Sequence, residues 1–166
     1  MEFRDAVQDD FKTICTLVTS EQELFMVHPT GSWPLTVEQL NQLAEVRQDL
    51  TVGTDRLQVV GFANLLNLIP GKRAFIGNLV VDKAFRGQTM GKKMVNHMLE
   101  LIFHQHDLPE AHISVFRHNT PAIKLYSGFG FLPYETTEWK DFGGNPVDLL
   151  HMKLDRTEYR APDFPV

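Results

Sequence analysis

Cysteine is nearly missing from this chain: Cys15 is the single one in 166 residues. An intrachain disulfide is therefore excluded, and there is no CxxC pair to hold a metal or carry a redox couple. Cys15 lies in the amphipathic stretch Phe11-Lys12-Thr13-Ile14-Cys15-Thr16-Leu17-Val18, so packing is its expected role. Apolar runs of about 18 residues, the length needed to span a bilayer, are also absent. The start Met1-Glu2-Phe3-Arg4-Asp5 has neither the basic flank nor the apolar stretch of a secretory leader, and a cytoplasmic protein without a membrane partner is expected. Basic charge is scarce as well, with 16 Lys and Arg against 21 Asp and Glu and a formal charge of −5. No basic run is long enough to follow a phosphate backbone, which argues against nucleic acid, whereas an acidic surface attracts cationic amines. His104 and His106 stand two apart without further ligands in sequence, so no metal is expected.

What is present fits one hydrophobic core, with 43% hydrophobic and 22% charged residues, both close to globular averages. Residues 1–154 are expected to form a single domain and residues 155–166, polar with two prolines, a peripheral tail. Periodicity predicts a strand over 2–6 and a helix over 9–19. A proline-broken loop follows over 28–34, then a capped helix over 36–46. Short β-type runs at 50–52 and 57–66 predict a hairpin turning at Gly53-Thr54-Asp55. Pro70-Gly71 leads into residues 73–81, nearly continuously apolar and thus a central strand, within which Gly77 suggests a bulge or a close backbone approach. Helical spacing returns from 89 or 91 to 104, a strand is expected over 111–116, and a helix begins at Thr120-Pro121 and closes at Gly130. Two late strands, about 131–138 and 146–154, complete the sheet.

The most informative segment is Asn78-Leu79-Val80-Val81-Asp82-Lys83-Ala84-Phe85-Arg86-Gly87-Gln88-Thr89-Met90-Gly91-Lys92-Lys93. It passes from a buried strand through a glycine-containing turn into a helix, where the first N–H groups lack intrahelical acceptors and the dipole is positive. Glycines 87 and 91 let a phosphate approach the backbone, and Arg86, Lys92 and Lys93 add charge. The spacing is neither GxxxxGK[ST] nor GxGxxG, which argues against the common mononucleotide and dinucleotide sites.

Leu79, Val81 and Arg86-Gly87-Gln88-Thr89-Met90-Gly91 resemble the strand and [QR]xxGx[GA] turn of the GNAT superfamily, with Thr89 at the first motif glycine and Lys83 near a usual proline. Asn119-Thr120-Pro121-Ala122-Ile123-Lys124-Leu125-Tyr126-Ser127-Gly128-Phe129-Gly130-Phe131 resembles that family's NxxAxxLYxxxGF. The resemblance implies an α+β, three-layer GNAT acyl-CoA N-acyltransferase fold. Its mixed sheet has about six to seven strands, flanked by about four helices, with splayed fourth and fifth strands. It also implies an N-acetyltransferase that moves an acetyl group from acetyl-CoA to a primary amine by direct attack in a ternary complex. Leu79, Val80 and Val81 would then contact the pantetheine arm, with a backbone N–H near Leu79 or Val80 serving the oxyanion. Arg86, Gly87, Gln88, Thr89, Met90, Gly91 and Lys92 would hold the pyrophosphate, the Thr89 hydroxyl donating to a phosphate. Asn119 and Tyr126 would sit near the thiol, Tyr126 as general acid, with a plain helix cap beside Thr120 as the alternative role of Asn119.

Asn78 takes the catalytic-strand position where many relatives carry a glutamate, and an amide cannot accept a proton at neutral pH. A water relay ending on His28, His112, His118, Glu23 or Glu138 is the expected substitute. Phe25, His28, Trp33 and Trp139 are the expected acceptor pocket. The residues leave open a small amine, an amino acid, an aminoglycoside-like polycation and a protein amine. They leave open a homodimer too. A non-catalytic acyl-CoA sensor is the alternative function, and a structural partner protein using a sheet edge the third.

Overall fold

Seven strands make one sheet among the described residues, which are 1–87 and 89–164 of this computed structural model. They are β1 (Glu2–Asp5), β2 (Gln48–Asp55), β3 (Gln58–Ile69), β4 (Arg73–Val81), β5 (Glu110–Phe116), β6 (Leu132–Lys140) and β7 (Pro146–Asp155). The spatial order is β1-β2-β3-β4-β5-β7-β6, antiparallel throughout except for the parallel pair β4 and β5. Five α-helices are found among the described residues: α1 (Phe11–Leu17), α2 (Glu21–Val27), α3 (Val37–Val46), α4 (Met90–Glu100) and α5 (Thr120–Phe129). A parallel neighbour demands a crossover, and α4, extended by a π-helical turn over Leu101–Gln105, supplies it.

Each face of the sheet is covered by the helices whose apolar stripes match it. Met90, Met94, Met98, Leu99 and Phe103 press on Ala63, Leu65, Ala74, Ile76 and Ile113 from one side. On the other, Ile14, Leu17, Leu24, Leu40 and Leu43 cover Val52, Val59 and Phe62. Cys15 packs at the margin of this second core, and burial raises its thiol pKa, as befits a structural residue.

The first hairpin turns later than the sequence pattern suggests. Asp55 pairs with Gln58 across Arg56 and Leu57, both left-handed with φ of 46° and 72°, the signature of a tight two-residue turn. Gly53 belongs inside β2, because a Cβ there would lie 2.9 Å from the Met94 sulfur and 3.1 Å from the Phe3 ring. Glycine at this position serves packing against α4, which a local pattern cannot distinguish from turn chemistry.

The segment after β7 is tied down more firmly than a peripheral tail. Tyr159 is buried against Phe103 in the α4-side core, and its hydroxyl lies 2.8 Å from Asn96 Oδ1 and also reaches Glu100. Five residues on, the Phe164 ring lies beneath the amines of Lys92 and Lys93, at 5.9 and 5.5 Å.

Three histidines, His28, His97 and His112, have pKa values below the ordinary 6.5, in each case first because burial opposes the charged ring. Between those depressed values and 6.5 the unfolded chain binds protons that the native one does not, so stability rises with pH across that window. Denaturant unfolding should therefore show stability falling as pH drops below 6.5, before any carboxylate titrates. Asp10, Glu23 and Glu110, all held below their ordinary values, add a second loss at more acidic pH.

Candidate active site

Strands β4 and β5 pair only from Arg73 with Glu110 to Ile76 with Ile113, and beyond that they part. The cause is local. Across β3, Phe62 pairs with Val80 but Asn64 pairs with Gly77, so β4 carries one extra residue between those pairs, with Asn78 left-handed at φ 50°. The bulge inverts the alternation of side chains: Ala74 and Ile76 face the α4 core, and beyond it Leu79 and Val81 do so while Val80 joins the opposite core. From Gly77 onward β4 has lost β5 as its ladder partner.

Asn78 pins this bulge. Its Oδ1 accepts from Asn64 Nδ2 at 2.9 Å and from Arg47 Nε at 3.4 Å, and its Nδ2 donates to the Val27 carbonyl at 2.9 Å. Strand and α2 are thereby joined through one amide. Glycine at 77 lets these neighbours pack closely, since a Cβ would stand 2.3 Å from Leu66 Cδ2 and 3.0 Å from Asn64 Oδ1 and both side chains would have to shift. That Asn64 oxygen is buried without a hydrogen-bond partner among the described residues.

The splay opens into a cavity of about 350 Å³. His28, Arg47 and Asn78 line one side, Ser114 and His151 another, and Asn119 and Tyr126 a third. Ser114 and His151 face each other because β5 and β7 pair them in register. The His151 ring is held at both nitrogens, Nδ1 at 2.8 Å from Ser114 Oγ and Nε2 at 3.0 Å from Thr137 Oγ1. His28 is buried, and its pKa is depressed by that burial and further by the charge of Arg47. Tyr126 is buried too; burial pushes its phenol pKa up, and its hydroxyl has no hydrogen-bond partner among the described residues.

Past β4 the chain enters the turn before α4, where Gly87 and Thr89 are both left-handed, φ 73° and 66°. The N–H of Lys93 is bonded to the Thr89 carbonyl at 2.9 Å, leaving Met90, Gly91 and Lys92 with first-turn N–H groups that have no intrahelical acceptor. Thr89 is the N-cap, and its side chain makes no capping bond. A β-branched residue in this conformation is strained by about 1–2 kcal/mol, which explains the glycine usual at the position in the motif. Thr89→Gly should relieve it and, after the extra backbone entropy of glycine, raise unfolding free energy by about 1 kcal/mol, read as a higher denaturant midpoint.

Arg86 is engaged elsewhere: its Nε donates to the Val81 carbonyl at 2.9 Å and its Nη2 forms an ion pair with Glu23. Gln88 lies outside the described residues. Even so, the donor set suits a pyrophosphate, because three free amides sit at a positive helix end beside Lys92. The open edge of β4 suits an extended arm in the same way.

The cavity thus gathers His28, Asn78, Leu79, Asn119, Tyr126 and Trp139 from the residues singled out in the sequence. Asn119 also caps α5, its Oδ1 accepting from the Ala122 N–H at 3.4 Å. Phe25 stands behind the wall, stacked on Phe116 at 4.5 Å. Trp33 is exposed on the α2–α3 loop, outside the cavity lining. Of the relay ends, only His28 reaches the lining. His112 is held between Glu110 at 2.7 Å and Tyr134 at 2.8 Å, while His118 and Glu138 stay off the wall. Glu23 caps α2 through the Thr19 N–H as well as pairing with Arg86; burial opposes its ionisation, but these bonds outweigh it and keep its pKa low. Arg47, Ser114 and His151 were not singled out. Ser114 and His151 are 37 residues apart, and no local signal marks two polar residues that meet only through strand register.

Parallel strands parted by a bulge, a helix start whose first-turn amides lack intrahelical acceptors, and a buried tyrosine form the constellation of an acyl-CoA acyltransferase fold. The model of the acetyltransferase (GNAT) family matches residues 18–131, and the chain belongs to that family. The spermine/spermidine N(1)-acetyltransferase of Bacillus subtilis strain 168 is 29% identical over 96 residues, which are 54% of this chain and 60% of that protein. The chain thus matches less than two thirds of that relative's length. Among solved structures, the spermidine N-acetyltransferase of Vibrio cholerae in complex with CoA and spermine has a TM-score of 0.81 at 17% identity, covering 95% of this chain and 96% of its own. The ribosomal-protein-S18-alanine N-acetyltransferase of Escherichia coli has a TM-score of 0.72 at 18% identity, covering 93% and 92%. These two likenesses speak to the fold, which is shared by enzymes named for very different acceptors.

Proposed function

We propose that this chain is an N-acetyltransferase that uses acetyl-CoA and a primary amine. The observation that carries the proposal is the bulge at Asn78, which parts β4 from β5 and opens the cavity that Tyr126 lines. Acetyl-CoA, when bound, supplies an acetyl thioester and departs as the thiol. Met90, Gly91 and Lys92 would hold its pyrophosphate by backbone N–H groups, the open edge of Leu79 to Val81 its pantetheine arm, and Asn119 the region near the thiol. Lys92 would add charge there, whereas Arg86 braces the turn against α2.

Within the cavity a neutral amine must lose a proton as it attacks, and a hydrogen-bonded hydroxyl and imidazole are suited to take it. If Ser114 donates its hydroxyl proton to His151 Nδ1, the free lone pairs of Ser114 accept the proton of the amine while His151 takes up that of Ser114. Thr137 fixes the ring in place. His28 is the poorer base, since burial and Arg47 both oppose its protonation. Tyr126 would donate to the departing sulfur.

Thiol release measured with acetyl-CoA and a panel of amines tests the proposal, and amine-dependent turnover is expected. The alternative, a non-catalytic acyl-CoA sensor, is favoured by the amide at position 78 in place of a carboxylate. Calorimetric binding of acetyl-CoA without thiol release from any amine would support it.

A further inference from the structure

Arg47 is the C-cap residue of α3 and lies half-buried at the cavity wall. A guanidinium has five N–H donors, and among the described residues the one side-chain bond from this guanidinium is the long contact of Nε with Asn78 Oδ1 at 3.4 Å. Among the described residues neither terminal nitrogen has an acceptor, and no carboxylate forms an ion pair with it. The cavity lining contains no Asp or Glu either. A cation held partly out of water without a counter-charge costs stability, and its fork is shaped to take a carboxylate through two parallel bonds. Elsewhere the lining is apolar, with Leu66, Phe75, Phe116, Trp139 and Leu149. Such a wall is hostile to a polycation, whose ammonium groups would meet a fixed positive charge and find no carboxylate.

We propose that Arg47 binds the carboxylate of the acceptor, and that the acceptor is a free amino acid with an apolar side chain. The proposal rests on the acetyl-transfer reading, since it names the amine that the cavity receives. In it, the guanidinium holds the carboxylate, the apolar wall takes the side chain, and the α-amine is left to face Ser114 and the bulge.

The test compares thiol release from acetyl-CoA with phenylalanine, leucine and methionine, with their amides, and with spermidine, using the parent, Arg47→Met and Arg47→Lys. Charge-assisted bonds to a carboxylate are worth about 10- to 100-fold, so the parent should prefer each acid to its amide by that factor in kcat/KM, mainly through KM. Arg47→Met should bring the ratio near one, and Arg47→Lys should restore part of it. Amides or spermidine used as well as the acids, or an acid preference that survives Arg47→Met, would overturn the assignment. If no amine releases thiol, acetyl transfer fails as the activity, yet the carboxylate site can still be read. Calorimetry of N-acetylphenylalanine and its amide should then show the acid bound more tightly by the parent and not by Arg47→Met, and equal binding would refute the site.

Discussion

Tyr126→Phe is expected to lower kcat by about 10² to 10⁴ while acetyl-CoA affinity and unfolding free energy stay near parental values. The substitution removes only the hydroxyl. The ring keeps its edge contact with Phe131, at a centroid distance of 6.1 Å, so α5 should pack as before. Within the protein the hydroxyl has no hydrogen-bond partner among the described residues, and burial raises its pKa, so it stays protonated throughout any practical assay range. A buried phenol of this kind is a poor spontaneous acid. It becomes an effective donor when a basic sulfur appears against it, because the low dielectric that opposes phenolate formation strengthens the bond to a developing anion. Thiol release at saturating substrates gives kcat, and calorimetry gives acetyl-CoA affinity. A kcat near parental, with the chemical step shown to be rate-limiting, would assign Tyr126 to packing.

His151→Ala should lower kcat on the order of 10², and His28→Gln by much less. Both imidazoles reach the cavity, but they differ in support. His151 is clamped between Ser114 and Thr137, which fixes its orientation and couples it to a hydroxyl on the cavity lining. His28 faces the charge of Arg47 in a buried setting, which works against taking up a proton. Ser114→Ala should reproduce most of the His151→Ala loss, and the double variant should lose little more than either alone, since the proposed relay needs both side chains. Losses that multiply, or a His28 variant slower than the His151 variant, would move the base to another group. Parental unfolding midpoints are needed alongside, since both serine and histidine lie in the β5–β7 ladder.

What could be read along the chain was whatever depends on neighbours in sequence. The strand-turn-helix of residues 73–104, the αL glycine position now held by Thr89, and the Asn119 cap with Gly130 closing α5 are local events, set by hydrogen bonds within a few residues, and their spacing survives in one dimension. From these the family resemblance, the fold class and the expected cofactor turn followed. The hairpin turn was misplaced because Gly53 answers to Met94 and Phe3, distant in sequence, and the tail was undervalued because Tyr159 finds Asn96 and Glu100 only after α4 has docked.

The polar lining of the cavity was a matter for tertiary structure alone. Arg47 leaves α3, Asn78 turns out of β4 at its bulge, and Ser114 and His151 meet because β5 and β7 pair in one register, so four elements contribute one side chain each. Charge balance at such a site is a property of space. The sequence counts more acids than bases, but whether a guanidinium keeps a carboxylate or waits for one depends on which side chains the folded sheet leaves within reach, and around Arg47 it leaves none among the described residues.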